Sequence, residues 1–341
     1  MAEAVPPRPL IELRTRDELL QGTPMAAFSN VVKVLSRDGR LVDLEPDAIH
    51  RWRTLAMGFR SYAPAEMRAA LQHELKGRLE VYNTSHFIVA CPHGQETRWL
   101  VRLEKLLRSF QHYFSVRGLS PQDPQFPLIA IVWPSQNEFL SYASEQGQRI
   151  GSEVLGYYSP QTNRVALFDS SGVAGGDWGQ NEYVIIHEIT HQYAFNCGLH
   201  NRFQQTPRWL CEGLAMLFEA PGLWDPHRYA DFRDRVNHAR LQQFRTCLAQ
   251  GRKPQSWLRL VNSDADFQRN TGAAYAESWA FSFFLVETAP AKYCAYLKRT
   301  AAGPDFVAIS EANRLADFKA AFGDDFRMLE AKFLRFIAAI K

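Results

Sequence analysis

The stretch "EYVIIHEITHQYAFN", residues 182–196, decides how the whole chain is read. His187 and His191 stand four apart, with Glu188 directly after the first histidine. On an α-helix, residues four apart lie one above the other on the same face. Both imidazoles can then reach a single Zn²⁺ at about 2.0–2.1 Å. Glu188 is rotated by about 100° from His187. That position suits a general base acting on a metal-bound water and not a third ligand. The flanking Val184, Ile185, Ile186, Ile189 and Phe195 make the helix apolar on most sides, so it is expected to be buried. A buried His-Glu-His face without a partner is costly, and a metal ion supplies the partner.

Two histidines need a further ligand. The pattern H-E-x-x-H-x-x-G-x-x-H requires glycine at position 194 and histidine at 197, whereas this chain has Ala194 and Cys197. The other common solution is a glutamate from a second helix. "TPRWLCEGLAMLFEA" (206–220) supplies Glu212 among apolar neighbours Trp209, Leu210, Leu214 and Leu217. Gly213 and Ala215 are small enough to let two helices approach closely. The sequence therefore predicts one Zn²⁺ per chain on His187, His191 and Glu212. The five cysteines are odd in number and widely spaced, without C-x-x-C, so neither a zinc ribbon nor a disulfide framework is expected. Cys197 and Cys211 flank the two helices and read as buried structural thiols.

The rest of the chain is globular in composition, with 341 residues, 46% hydrophobic and 22% charged. A net charge of +3 without a dense Lys/Arg stripe gives no case for nucleic acid. The first twenty residues lack the apolar core of a signal peptide, and no run of about 18 apolar residues suggests a membrane span. Location stays open, export included if a signal has been removed.

Three regions follow from the pattern. Residues 1–60 read as a small β-rich unit, with a hairpin at 31–44 turning at Asp38-Gly39. Residues 61–180 alternate strands and helices, as in an α/β layer: a helix at 64–76, strand-like 79–92, a helix at 97–118, a strand at 127–134, a Ser-capped helix at 135–147 and a hairpin at 155–169. The Gly-rich "GVAGGDWG" (172–179) suits either a flap or a plain connector. Residues 181–341 read as helical, over 181–197, 206–219, 225–249, 272–288, 290–301 and 313–340. The fold class is α+β.

"HEITH" followed by "WLCEGLA" resembles the gluzincins, the thermolysin-like zincins in which a glutamate completes H-E-x-x-H. With "GYYSPQTNRVALFD", "PRWLCEGLAMLFE" and "AYAESWAFSFFLVE", residues from about 80 to 300 resemble an uncharacterised bacterial group of peptidase-MA-like proteins. The resemblance implies an α/β upper subdomain, an active-site helix and a helical lower subdomain. It also implies that 163–169 is an edge strand able to pair with an extended peptide. Near the start of helix 272–288, Tyr275 resembles the tyrosine or histidine that gluzincins aim at the oxyanion; His200 and His227 are rivals, each in a loop-like stretch where it reads as a surface histidine. The chain departs from thermolysin four residues after Glu212, where Met216 stands in place of an acid. Glu219, Glu277 or a backbone carbonyl must then orient the ligand histidine.

These readings point to a zinc metallopeptidase acting on peptide or protein substrates, with Glu188 as general base. Endopeptidase action is favoured, since no segment offers an acidic anchor for a substrate amine. The alternatives are a zinc amidase for a non-protein amide and a binding protein that keeps the fold without the chemistry.

Overall fold

The computed structural model describes residues 8–16, 18–169 and 178–341, with the side chains of 178–181 left aside. The chain is α+β: a β-rich N-terminal region precedes a helical one. Two compact units divide it. One comprises residues up to Leu100, Pro124–Gly151 and Tyr157–Phe168; the other comprises Val101–Asp123, Ser152–Gly156 and Asp169–Lys341.

The first unit holds two sheets. In one, β1 (Leu10–Arg14), β2 (Leu19–Ala27), β3 (Val32–Ser36), β4 (Leu41–Leu44) and β5 (Arg51–Ala56) lie in the order β4-β3-β2-β1-β5. The β3–β4 hairpin turns through Gly39, whose φ of 90° suits a residue without Cβ. Ile11, Leu13, Leu20 and Val34 form the core of that sheet.

The second sheet has the order β6-β7-β8-β10-β9, from β6 (Glu80–Asn83), β7 (Phe87–Cys91), β8 (Leu128–Trp133), β9 (Gly156–Ser159) and β10 (Arg164–Phe168). β7, β8 and β10 run parallel and are buried along their whole length, as sheets covered on both faces require. Helices α1 (Pro64–Leu75) and α3 (Gln136–Glu145) belong to this unit. Ser135 caps α3 by accepting from the Glu138 N–H, as its sequence predicts. The hairpin at 155–169 forms, but β10 lies inside the sheet and β9 forms the edge. The edge-strand expectation for 163–169 is therefore corrected. All five residues of β10 are buried, a pattern that fits an interior strand better than an edge. Arg164, 2% exposed, pairs with Glu74 at 2.5 Å and lies 3.7 Å from Asp38, tying the hairpin turn of the first sheet to the second.

The second unit is helical. It contains α2 (Glu96–Ser115) from Val101 onward, α4 (Trp178–Asn196), α5 (Arg208–Phe218) and α6 (Pro221–Trp224). There follow α7 (His238–Ala249), α8 (Ser256–Asn262), α9 (Asp266–Arg269), α10 (Thr271–Thr288), α11 (Pro290–Ala301), α12 (Glu311–Phe322) and α13 (Phe326–Ala339). Two expected helices are interrupted. The span 225–249 opens on Asp225-Pro226 and contains a 3-10 turn at Phe232–Arg235. Its helix starts only at His238, where Asn237 caps by accepting from the Arg240 N–H at 3.2 Å. The span 313–340 breaks at Gly323, with φ 86°, and restarts under the Asp325 cap. α8 and α9 are too short to show a period in the sequence. Trp257, Phe281, Phe318 and Phe333 pack together, with Trp257 and Phe281 stacked at 4.6 Å. They fix α10, which carries Tyr275. Most of "GVAGGDWG" (172–179) falls outside the described residues.

Candidate metal centre

α4 is apolar on most of its surface, and burial follows. Ile185, Ile186, Ile189 and Tyr193 are buried, and the Tyr193 hydroxyl donates to the Leu103 carbonyl on α2 at 2.6 Å. His187, Glu188 and His191 are half-buried. α5 packs against α4, and every residue from Trp209 to Phe218 is buried. Gly213 makes the contact of α5 with α10 possible. A Cβ there would run into Ser282 Oγ and come within 2.7 Å of the Ser278 carbonyl.

His187, His191 and Glu212 are brought together. Their Nε2 and Oε2 atoms form a small triangle: His187 to His191 is 3.1 Å, His187 to Glu212 3.3 Å, and His191 to Glu212 3.5 Å. Three atoms bound tetrahedrally to zinc at about 2.0–2.1 Å would lie about 3.3 Å apart. Glu212 Oε2 is buried and has no hydrogen-bond partner although both imidazole nitrogens are close. Facing nitrogens and an orphaned carboxylate oxygen are what a shared cation would satisfy. The residues thus fit a Zn²⁺ site.

The electrostatics agree. Burial works against a charge on His187, but the carboxylates of Glu212, Glu219 and Glu188 outweigh it and lift its pKa well above the ordinary value. Burial would raise Glu212, but His187 and His191 hold it well below the usual carboxylate range. Together these groups demand positive charge where the three ligand atoms converge.

Glu219 answers the question left open by Met216. Its Oε1 lies 2.8 Å from His187 Nδ1, and its Oε2 accepts from Asn237 Nδ2 at 2.6 Å. Glu219 stands seven residues after Glu212, two helical turns on, so both acids share a face. Glu277, the alternative, is engaged elsewhere with Arg252 and Ser256.

Tyr275 is half-buried on α10 and accepts a hydrogen bond from Arg208 Nη2 at 3.2 Å. Burial and the nearby Glu212 carboxylate push its phenol up to about 12, against the pull of Arg208, so it keeps its proton at neutral pH. His227 is exposed, as expected of a loop. His200, read as a surface histidine, is instead buried beside Phe195, with ring centroids 5.1 Å apart. Both of its ring nitrogens lack a hydrogen-bond partner. Burial above all, then the charge of His191, presses its pKa down to about 3, so it is neutral. Cys197 and Cys211 are buried, and burial pushes the Cys197 thiol up to about 12, which fits a structural role.

Arg208, Asn237 and Arg240, whose Nε lies 4.0 Å from Glu219 Oε2, also border the cluster and are not among the residues the sequence pattern singles out. Arg208 had a visible signal, four residues before Glu212 on the same helix. Asn237 and Arg240 come from α7 and its cap, a long-range approach that leaves no local pattern.

A family profile described as "Protein of unknown function (DUF1570)" matches residues 183–306. No curated protein matches the sequence. Among solved structures, the chain is similar to an M1 zinc metallopeptidase from Deinococcus radiodurans, at 14% identity and a TM-score of 0.39, with 75% of this chain and 50% of that one covered. It is similar to a mutant of that enzyme bound to a Tyr-Ser-Ala substrate, at 13% identity and a TM-score of 0.40, with 75% and 50% covered. The chain spans about half the length of these structures.

Proposed function

We propose that the chain is a zinc-dependent peptidase of the gluzincin type. The observation that carries this reading is the convergence of His187 Nε2, His191 Nε2 and Glu212 Oε2 at separations of 3.1–3.5 Å, with Glu188 next to the first ligand. These three side chains would hold Zn²⁺, which as a Lewis acid activates water and polarises a peptide carbonyl. The carboxylate of Glu188 takes a proton from the attacking water and later delivers it to the departing amine. The Tyr275 phenol, kept protonated, donates a hydrogen bond to the developing oxyanion. Glu219, braced by Asn237, accepts the Nδ1 proton of His187 and so fixes the ring with Nε2 unprotonated toward the ligand cluster.

Metal analysis combined with digestion of a peptide library tests the reading. About one Zn²⁺ per chain is expected, lost in His187→Ala, with cleavage that stops on chelation and returns with zinc. Full occupancy in His187→Ala, or cleavage indifferent to chelation, would contradict it. A zinc-loaded chain that cleaves no peptide would favour the binding-protein alternative, or the amidase if it opens a non-peptide amide.

A further inference from the structure

The geometry points to a carboxylate-recognition site beside the candidate metal centre, in which Arg208 and Arg240 bind an anionic group of the peptide. This inference rests on the peptidase reading and names its substrate class: peptides carrying a carboxylate close to the bond that is cut.

Arg208 is held in place from its backbone outward. Its N–H donates to Asp264 Oδ1 at 3.0 Å, and Asp264 is itself gripped by both Nη atoms of Arg314, at 2.8 and 2.9 Å. The guanidinium lies over the Phe267 ring at 4.8 Å. Its Nε is 3.4 Å from Glu212 Oε1 and its Nη2 3.2 Å from the Tyr275 hydroxyl. Arg240 reaches the other participant from α7: its guanidinium is 5.6 Å from the centre of the Tyr275 ring, and its Nε is 4.0 Å from Glu219 Oε2. Two guanidinium groups thus gather at the proposed oxyanion donor, each next to an acid of the histidine cluster.

The charges do not balance without another anion. With a divalent cation on the ligands, the cation and the two guanidinium groups meet the carboxylates of Glu212, beside Arg208, and Glu219, beside Arg240, and Glu188 adds a third negative charge that acts on His187. One formal positive charge is left over. Neither guanidinium is sealed away, since Arg208 is 44% exposed and Arg240 25%. Arginine offers five N–H donors in a fixed fork. In Arg208 two of these go to Glu212 and Tyr275, which leaves donors for a carboxylate. A lysine at this place would offer a point charge without the fork. Because Phe267, Glu212 and Tyr275 already hold the Arg208 side chain, little rotamer freedom is lost on binding.

The test reads binding without turnover. In the zinc-loaded full chain carrying Glu188→Gln, two pairs of probes are titrated calorimetrically. The first pair is acetyl-Ala-Ala-Ala as the free acid and as its amide. The second is acetyl-Ala-Asp-Ala amide and acetyl-Ala-Asn-Ala amide. The acid member of at least one pair is expected to bind at least about tenfold more tightly, the scale of a charge-assisted hydrogen bond. Which pair shows the gap tells whether a terminal or a side-chain carboxylate is read. Adding Arg208→Gln should close the gap while zinc content is unchanged, and Arg208→Lys should restore only part of it. Equal binding within both pairs overturns the inference. So does a gap that survives Arg208→Gln, for the metal alone would then hold the carboxylate. If Arg208→Gln releases zinc, Arg240→Gln decides, because Arg240 touches no metal ligand: the gap must shrink, and an unchanged gap overturns the inference. Discrimination of acid from amide by a parent chain that hydrolyses nothing would sink the peptidase reading and leave carboxylate recognition standing. Hydrolysis of both members with no difference in binding would do the reverse.

Discussion

His187 Nδ1 and Glu219 Oε1 lie 2.8 Å apart, and this contact sets which nitrogen of the imidazole is left for a metal. A carboxylate that accepts from one ring nitrogen fixes the tautomer and strengthens the other as a ligand. Glu219→Gln keeps the shape and removes the charge. Zinc affinity is expected to fall by about 10- to 100-fold, the scale typical of such supporting partners. Competition against a chromophoric chelator measures it. Unchanged affinity would mean that His187 is oriented by packing alone.

Gly213 tests how the second metal helix is seated. A Cβ at this position meets Ser282 Oγ and, at 2.7 Å, the Ser278 carbonyl. The serine side chain can turn away, whereas the backbone carbonyl of α10 cannot. Gly213→Ala must therefore push α5 from α10, at a cost of about 1–3 kcal/mol. Because Glu212 is the preceding residue, zinc affinity should fall with stability. Urea unfolding and metal titration check both, and a variant as stable as the parent would show that the two helices are free to part.

His200 makes a statement about acid. Its folded pKa, near 3, lies below the ordinary 6.5, so it stays neutral in the fold while an unfolded chain would take up a proton. The stability linked to it is present above about pH 6.5 and is lost as pH falls toward 3, on the order of a few kcal/mol across that window. His200→Leu is expected to flatten this part of the acid limb. At pH 7 it should change stability little, because neither ring nitrogen has a protein partner to lose. Urea unfolding from pH 7 to pH 4 gives the comparison; parallel parent and variant curves would mean that the histidine is solvated.

Much of this could be read from local pattern. The period of four in "HEITH", the apolar setting of Glu212 and the Asp38-Gly39 turn each write their structure into a few neighbouring residues. Other features depend on distant partners. Met216 marked the place where an acid was wanted, but the acid one turn further, Glu219, is identified only by where His187 points. The break before His238 depends on a cap, Asn237, whose side chain also reaches the Met216 carbonyl and Glu219. His200 follows a Gly-Leu step that reads as a surface loop, yet the chain folds it inside. The position of β10 within its sheet is a matter of strand order, which no local period encodes.

In the proposed peptidase, hydrolysis depends most directly on Glu188. Zinc content and peptide hydrolysis are to be measured on the same preparations of the parent and of Glu188→Gln, a change that keeps the side chain's shape and removes its basicity. The expected result is full zinc in both, with hydrolysis lower in the variant by at least about 10²-fold, the scale of a general base. A zinc-loaded Glu188→Gln chain that cleaves as fast as the parent would contradict the account.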